Sequence, residues 1–448
     1  MGCGRRQVQA RSSLTQSDMP IFALVDANNF YASCEKLFDP MISGKPVVVL
    51  SNNDGVVVSR SAEARAMGVP MGVAWHQLRE RAKREGIIAF SSNYALYADM
   101  SNRVVEVLSQ FSPDIEVYSI DESFLELSGF PEEYSGRLAE YGQQIRQRVA
   151  RWLGLAVCVG IGTTKTLAKL ANHCAKKALA GQDGVCDFTV MSERDLSELF
   201  GKIEVGEVWG VGRKITARLE EMHIRTVRDL RDADAETLRS RFSVVLERTI
   251  QELRGVSCLD MEELAPANKQ IMSSRSFGQY VYELPALQEA VSSYIAKAAE
   301  KLRAQQSVAG AVQVYIRTSP FNPKEPQYQK SVTVPLPEHT SDTRELTGYA
   351  LGVLNSIYRP GFAYQKAGVM LSELQPKHVR QGSLFTDSEG AARSGTLMST
   401  MDSINRKFGR GAMQLLAAGT GKSWQMRRGN LSPAYTTSWD ELATVLAK

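Results

Sequence analysis

The sequence predicts a multidomain α+β chain, and three observations predict it. Its 448 residues exceed what one compact domain of about 100–200 residues holds. Strand-length apolar runs alternate with helical periodicity over residues 20–177 in the order of a ferredoxin-like layer. Short helices then dominate, and a second region mixing helix and alternating strands follows at residues 270–372.

In chain order, residues 20–26 (PIFALVD) and 45–50 (KPVVVL) are short apolar runs fit for buried strands. Residues 96–111 place Met100, Val104, Val107 and Leu108 at helical spacing, and residues 115–127 (IEVYSIDESFLEL) alternate as a strand or hairpin does. Residues 143–153 read as helix, residues 155–161 (LAVCVGI) as a buried strand, and residues 163–177 as a helix after Gly160 and Gly162. Beyond residue 192 short helices are interrupted by Gly210-Val211-Gly212, and residues 261–269 read as a linker. A helix at 287–302 and strands at 312–317 and 331–336 follow, joined by a Pro-rich loop at 320–326. Residues 375–396, rich in Gly, Ser and charge, read as a flexible connector into a final segment without clear periodicity. There is no internal repeat.

Lys and Arg number 53 and Asp and Glu 49, a net of +4, with 43% hydrophobic residues, as in an ordinary soluble protein. No segment is strongly basic, so nucleic-acid binding would depend on locally sorted charge. No apolar run approaches the ~20 residues of a membrane crossing. Residues 1–18 lack the apolar core of a secretory signal and read as a disordered leader, or as sequence ahead of a start at Met19. The cysteines (Cys3, Cys34, Cys158, Cys174, Cys186, Cys258) show no CxxC spacing, which argues against a zinc site and a disulfide framework and for a reducing cytoplasm.

Asp26 ends an apolar strand, and Asp121 and Glu122 interrupt an alternating one. Buried carboxylates are costly unless paired or bound to metal. Mg²⁺ takes oxygen ligands, and two such ions about 3.5–4 Å apart align an attacking hydroxyl and a leaving pyrophosphate. Surface ion pairs at strand ends are the alternative. Adjacent strand residues point to opposite faces, so Asp121 and Glu122 can share a cluster only at a strand end, bulge or bend.

Residues 22–37 (FALVDANNFYASCEKL), 62–69 (AEARAMGV), 118–124 (YSIDESF) and 159–175 (VGIGTTKTLAKLANHCA) together resemble the Y-family DNA polymerases, and most closely their UmuC-type branch. The likeness runs from about Met19 to a UmuC-type tail at 424–437 (WQMRRGNLSPAYTT). It implies a palm (19–38 and 94–183), a small fingers insertion (39–93), a helical thumb with a helix-hairpin-helix element (184–255), a linker (256–269), an α+β little finger (270–372), a flexible connector (373–396) and a C-terminal segment (397–448). It implies Asp26, Asp121 and Glu122, with the Ala27 carbonyl, as ligands of two Mg²⁺ ions, and Tyr31 as a steric gate against the 2′-hydroxyl of an incoming sugar. A core tyrosine is the plainer reading of Tyr31.

Gly160-Ile161-Gly162 before Lys165 resembles a phosphate loop, but a P-loop requires Gly directly before the Lys, and Thr164 stands there. At about 100° per residue, Lys165, Lys169 and Lys176 fall on one helical stripe, which a solvated face would also produce. By resemblance Lys176, Ser59 and Arg65 contact the triphosphate, the guanidinium suiting bidentate phosphate binding. Ala62 departs from members with tyrosine there, and the small Ser59, Ser61, Ala62 and Ala64 leave room above the nascent pair.

Gly210, Gly212 and Arg213 match the family's thumb hairpin, where backbone N–H groups approach a DNA phosphate. Basic residues such as Arg275, Arg317, Lys324 and Lys330 are candidates for a little-finger stripe. Gln381, Leu384 and Phe385 resemble a sliding-clamp peptide, and the tail implies a UmuD-like dimer and RecA as partners. The expected activity is error-prone translesion synthesis on primer-template DNA with dNTPs, in the cytoplasm and away from any membrane. A noncatalytic DNA-binding scaffold and a metal-dependent nuclease are the rivals, and a sugar gate at Tyr31 distinguishes the polymerase from the nuclease.

Overall fold

The computed structural model describes residues 20–129, 136–261, 267–322, 324–379, 388–409, 411–419 and 424–442. These form two compact units, one within Met1–Val49, Val57–Leu264 and Leu431–Lys448, the other within Leu50–Val56 and Ala265–Asn430.

In chain order the first unit holds β1 (Phe22–Ala27), α1 (Phe30–Leu37), β2 (Val47–Leu50), β3 (Val57–Arg60), α2 (Ala62–Ala66), α3 (Trp75–Glu85), β4 (Ile88–Ser91) and α4 (Tyr94–Leu108). β5 (Ile115–Val117), β6 (Glu122–Glu126), α5 (Leu138–Leu153), β7 (Val157–Gly162), α6 (Lys165–Lys177) and β8 (Val185–Asp187) follow. The short helices α7 (Glu193–Phe200), α8 (Arg213–Glu221), α9 (Val227–Asp232), α10 (Ala235–Arg241) and α11 (Val244–Leu253) complete it.

The main sheet runs β5-β6-β1-β7-β8, with β1 antiparallel to β6 and β7 and β8 parallel to β7. Without β8 this is the ferredoxin-like order. A three-stranded sheet, β3-β2-β4, is inserted after α1. Because side chains alternate along a strand, β1 serves two cores. Ala23, Val25 and Ala27 pack with Ala32, Leu96, Met100, Val104, Ile145 and Val149, whereas Phe22 and Leu24 meet Phe124 and Ala168 of α6. The far side of α6, with Leu167, Leu170 and Cys174, packs into the core of α7–α11. The helical region and the sheet are thus joined through one shared helix.

Close approach of α6 to β7 explains the glycines there. A Cβ on Gly160 would run into the backbone of Asn172 and Ala168, and one on Gly162 would lie 2.8 Å from the Ala168 nitrogen. The start of α6 is already capped: Leu167 N–H donates to Thr164 Oγ1 (3.1 Å) and Thr166 N–H to the Glu252 carboxylate (3.0 Å). The phosphate-loop resemblance of this turn therefore reflects helix-to-strand packing.

The second unit contains β9 (Ile271–Val281), α12 (Leu284–Ala304), β10 (Ser307–Thr318), β11 (Gln329–Thr340), α13 (Thr343–Ile357), β12 (Tyr364–Pro376) and α14 (Ser388–Phe408). Its antiparallel sheet, β11-β10-β12-β9, shares a core with α12 and α13. Trp424 is buried edge-on to Tyr294 (5.6 Å between centroids) and near Phe277 (6.5 Å). Asn53 donates to the carbonyls of Ser276 and Phe277 (3.0 and 3.2 Å) and accepts from Arg427 N–H (2.9 Å).

Two expectations for the C-terminal part are corrected. The connector at 373–396 is not structureless throughout: β12 pairs with β10 out to Ser307↔Pro376, and residues 388–396 begin α14. The final segment does have a buried helical face, since Met398 and Met401 are buried and Asp402 receives a fork of hydrogen bonds from Arg303 (2.7 and 2.6 Å). Its sparse apolar content hid that face. Gln381, Leu384 and Phe385 lie outside the described residues, as do residues 1–18. The linker at 256–269 begins fastened down, Cys258 and Leu259 N–H donating to Glu252 Oε1 (2.6 and 3.1 Å).

Candidate active site

Antiparallel register places Asp26 of β1 directly opposite Glu122 of β6. Opposed residues share a face, with Cβ atoms about 4.5–5.5 Å apart, and like charges there repel. Asp121 precedes β6, and its carbonyl accepts from Ala27 N–H (2.9 Å), so the two adjacent acids sit at a strand end. The Asp121 carboxylate accepts from Ser119 Oγ (2.6 Å).

Helix α6 crosses the Asp26–Glu122 face with its lysines inward. Lys176 forms an ion pair with Asp26, Lys169 with Glu122 (2.7 Å), and Lys165 with Glu116. Lys165 is buried and also donates to the Asp260 carbonyl (2.8 Å). The helical stripe is thus an array of ion pairs rather than a solvated face. Lys169 also lies over the rings of Tyr118 (4.5 Å) and Trp209 (5.6 Å).

Burial pushes the Asp26 carboxyl up from its ordinary 3.8 to about 7, outweighing the lowering by Lys176, and Glu122 and Asp121 add to the rise. A second cation beside this group would relieve both the burial and the repulsion. Asp26, Asp121 and Glu122, with the Ala27 backbone at the same wall, are an oxygen donor set that suits Mg²⁺. Among the described residues no three His, Cys, Asp or Glu side chains are drawn into a closed metal cluster.

Asp26, Ala27, Asp121, Glu122, Tyr31, Ser59, Arg65 and Lys176 line one cleft of about 500 Å³. All eight residues expected at the metal and nucleotide site are therefore brought together. The Tyr31 ring lies at the cleft and stacks on Tyr97 (4.3 Å, 14°), itself fully buried. Ser59 Oγ accepts from Ala32 N–H (3.3 Å). Of the four small residues expected above the nascent pair, Ser59 alone lines the cleft. Ser61 instead caps α2, accepting from Ala64 N–H (3.3 Å), and Ala64 is core.

Two polar residues at the cleft, Asn29 and Arg60, were not expected. Asn29 adopts a left-handed backbone (φ 49°), and its side chain accepts from Arg65 Nη2 (2.9 Å), which aims the guanidinium. The signal was available: an Asn pair between strand and helix, a residue that tolerates this conformation. Arg60 also lines the cleft, its guanidinium bonded to the Val69 carbonyl and its Nε without a hydrogen bond among the described residues.

The expected DNA contacts Gly210, Gly212 and Arg213 form the turn into α8, away from this cleft. Gly210 has φ +87°, and Gly212 caps the helix that Arg213 begins. Trp209 fastens that turn to the main sheet, its Nε1 donating to the Tyr118 hydroxyl (3.1 Å) and its ring 5.9 Å from Phe124. Among the described residues no helix is long and apolar enough to cross a membrane.

Comparison with known proteins gives the same architecture an ancestry. Residues 25–173 match the impB/mucB/samB family model, residues 268–384 the C-terminal domain of that family, and residues 395–445 a domain of unknown function, DUF4113. Over 95% of its length the chain is 45% identical to the whole of Protein UmuC from Salmonella typhimurium. The chain belongs to the UmuC-type Y-family DNA polymerases. DNA polymerase IV of Desulfatibacillum aliphaticivorans is 28% identical over 87% of the chain and 94% of that protein. A solved Y-family DNA polymerase chimera superposes with a TM-score of 0.61 at 20% identity, covering 79% of this chain and 98% of the chimera. This member of the family is accordingly a DNA-directed DNA polymerase acting in translesion synthesis.

Proposed function

We propose that synthesis takes place in the Asp26–Asp121–Glu122 cleft by two-metal nucleotidyl transfer. The observation that carries this reading is the meeting of three carboxylates, a stacked tyrosine and the cations Arg60, Arg65 and Lys176 in one cleft. Asp26, Asp121 and Glu122, with the Ala27 carbonyl, would hold two Mg²⁺ ions. When bound, the metal supplies charge stabilisation for the attacking 3′-hydroxyl and the leaving pyrophosphate.

The chain's own residues do the positioning. Arg65, aimed by Asn29, and Lys176, Ser59 and Arg60 bind the triphosphate, while Tyr31 packs beneath the sugar and excludes a 2′-hydroxyl. In the transfer, the primer 3′-hydroxyl gives up its proton to water, its oxygen forms a bond to the α-phosphorus, the bond from that phosphorus to the bridging oxygen breaks, and pyrophosphate leaves. Catalysis then rests on orientation and electrostatics.

The thumb turn at Gly210, Gly212 and Arg213 contacts a DNA phosphate through backbone N–H groups and the guanidinium. Gln381, Leu384 and Phe385 dock a sliding clamp, a UmuD-like dimer and RecA complete the active assembly, and the site of action is the nucleoid in the cytoplasm. In this reading residues 19–38 and 94–183 are the palm, 39–93 the fingers, 184–255 the thumb and 270–372 the little finger.

Extension of a labelled primer past an abasic site, with Mg²⁺, dNTPs and the dimer, RecA and clamp present, tests the reading. Extension by wild type and none by Asp121→Asn supports it. No extension by folded, DNA-binding wild type favours the scaffold.

A further inference from the structure

The C-terminal tail reaches the back of the sugar gate. In the first unit, Ser432, Pro433 and Tyr435 meet the start of α4 and the residue past the end of α1, and Ser432 is buried. Two ties hold them. Asn93, whose Oδ1 caps α4, donates through Nδ2 to Ser432 Oγ (3.0 Å) and to the Pro433 carbonyl (3.2 Å). The Tyr435 ring stacks on Phe38, just past the end of α1, at 4.8 Å and 8°. Beside them Glu35 of α1, almost wholly buried, accepts from the Tyr97 hydroxyl (2.5 Å).

Burial raises the Glu35 carboxyl, and the Tyr97 and Ser432 hydroxyls act against that rise. Glu35 Oε1 takes the Tyr97 bond, while the buried Glu35 Oε2 has no hydrogen-bond partner among the described residues. Tyr97 in turn is the surface on which Tyr31 stacks, and Tyr94 meets both rings edge-on at 6.4 Å. A continuous chain of contacts therefore runs from Ser432 and Tyr435, through α1 and Tyr97, to Tyr31.

We propose that Ser432 and Tyr435 are positioning residues for sugar selection, the docked tail acting as the back wall that holds Tyr97 and hence Tyr31 in place. The physical argument is that a gate works only if it does not yield. A ring that excludes a 2′-hydroxyl by contact must be backed by groups that cannot retreat, because close-packed interiors transmit strain. Tyr31 is backed by Tyr97, Tyr97 is held by Glu35, and the tail meets this wall through Ser432, which acts on Glu35, and Tyr435, which stacks on Phe38 past the end of α1. The role rests on the reading of Tyr31 as the gate.

The test compares incorporation of ribonucleoside and deoxyribonucleoside triphosphates on undamaged template by wild type, Tyr31→Ala, Tyr435→Ala, Tyr435→Phe and Ser432→Ala, each as full chain with its partners. Hydrogen exchange of the α1 and α4 amides is followed in parallel, without DNA or nucleotide. Tyr435→Ala is expected to raise the ribo-to-deoxy ratio of kcat/KM by about tenfold, equivalent to ~1.4 kcal/mol of discrimination. It is also expected to speed exchange in α1 and α4 selectively. Tyr435→Phe keeps the stacked ring and should restore both, and Ser432→Ala should give a smaller rise in the ratio.

A merely structural tail would lower both activities together and leave the ratio unchanged. If Tyr31→Ala raises the ratio while the tail variants leave it as in wild type, the back-wall role is wrong and the gate stands. If Tyr31→Ala itself leaves the ratio unchanged, the gate reading fails and the tail's role with it. Should Tyr435→Ala not fold, Ser432→Ala and the exchange measurement decide: unchanged ratio and unchanged protection would overturn the proposal.

Discussion

Asp26 and Glu122 face each other across β1 and β6, and each is answered by a lysine seven residues from the other's on α6. Two carboxylates opposed in an antiparallel ladder repel, and seven residues is nearly two helical turns, so Lys169 and Lys176 come to one face at the spacing needed to meet both. This pairing keeps an acidic pair at the centre of a folded sheet.

Asp26 should make the protein less stable as pH rises. Its folded-state value, about 7, lies above the ordinary 3.8, so between those values the folded protein retains a proton that the unfolded chain has lost. The group's stabilising contribution is complete below about 3.8 and is lost as pH rises through 7. Asp26→Asn cannot ionise, and Lys176, about a third exposed, can be hydrated instead. In EDTA, urea unfolding should therefore show the variant gaining on wild type by about 2–3 kcal/mol between pH 5 and pH 8. An identical pH dependence for the two proteins would refute it. Primer extension by the variant should be absent.

Lys165 is a structural cation. Replacing it with Met leaves the buried Glu116 carboxylate without its ammonium, at an expected cost of about 3 kcal/mol. A Lys165→Met, Glu116→Leu double variant should recover most of that loss in a double-mutant cycle. Additive losses would mean the two side chains do not act as a pair.

Lys176 should divide binding from chemistry. Removing it while Arg65 remains in the cleft is expected to raise KM for dNTP about tenfold, with kcat falling less. A drop in kcat at unchanged KM would instead give Lys176 a role confined to the transition state.

Gly160→Ala should disrupt the site from behind. Its Cβ would meet the backbone of Asn172 and Ala168, which no side-chain rotation relieves, so α6 must move away from β7. A destabilisation of about 2–3 kcal/mol is expected in thermal or urea unfolding, with a parallel loss of extension. Wild-type stability would show that the helix yields at no cost.

What the sequence alone determined was local. Apolar runs and their periods marked the strands and most helices, because burial of one face imposes period 2 or 3.6 on a single stretch of chain. Carboxylates interrupting apolar strands were visible for the same reason, and ordered motifs carried the family resemblance. The tertiary structure decided what depends on register and on distant partners. Nothing in residues 22–27 says that Asp26 will stand opposite Glu122, and the lysine stripe of α6 was equally compatible with solvent until Glu116, Glu122 and Asp26 were brought beneath it. The contact between residues 93 and 432 spans most of the chain, and neither end carries a pattern that points to the other. Helix α14 was hidden because its apolar face is sparse, and only packing against α12 and α13 shows which of its residues are buried. Pairings between segments far apart in sequence are set by the packing of the whole unit, so they cannot be read from either segment by itself.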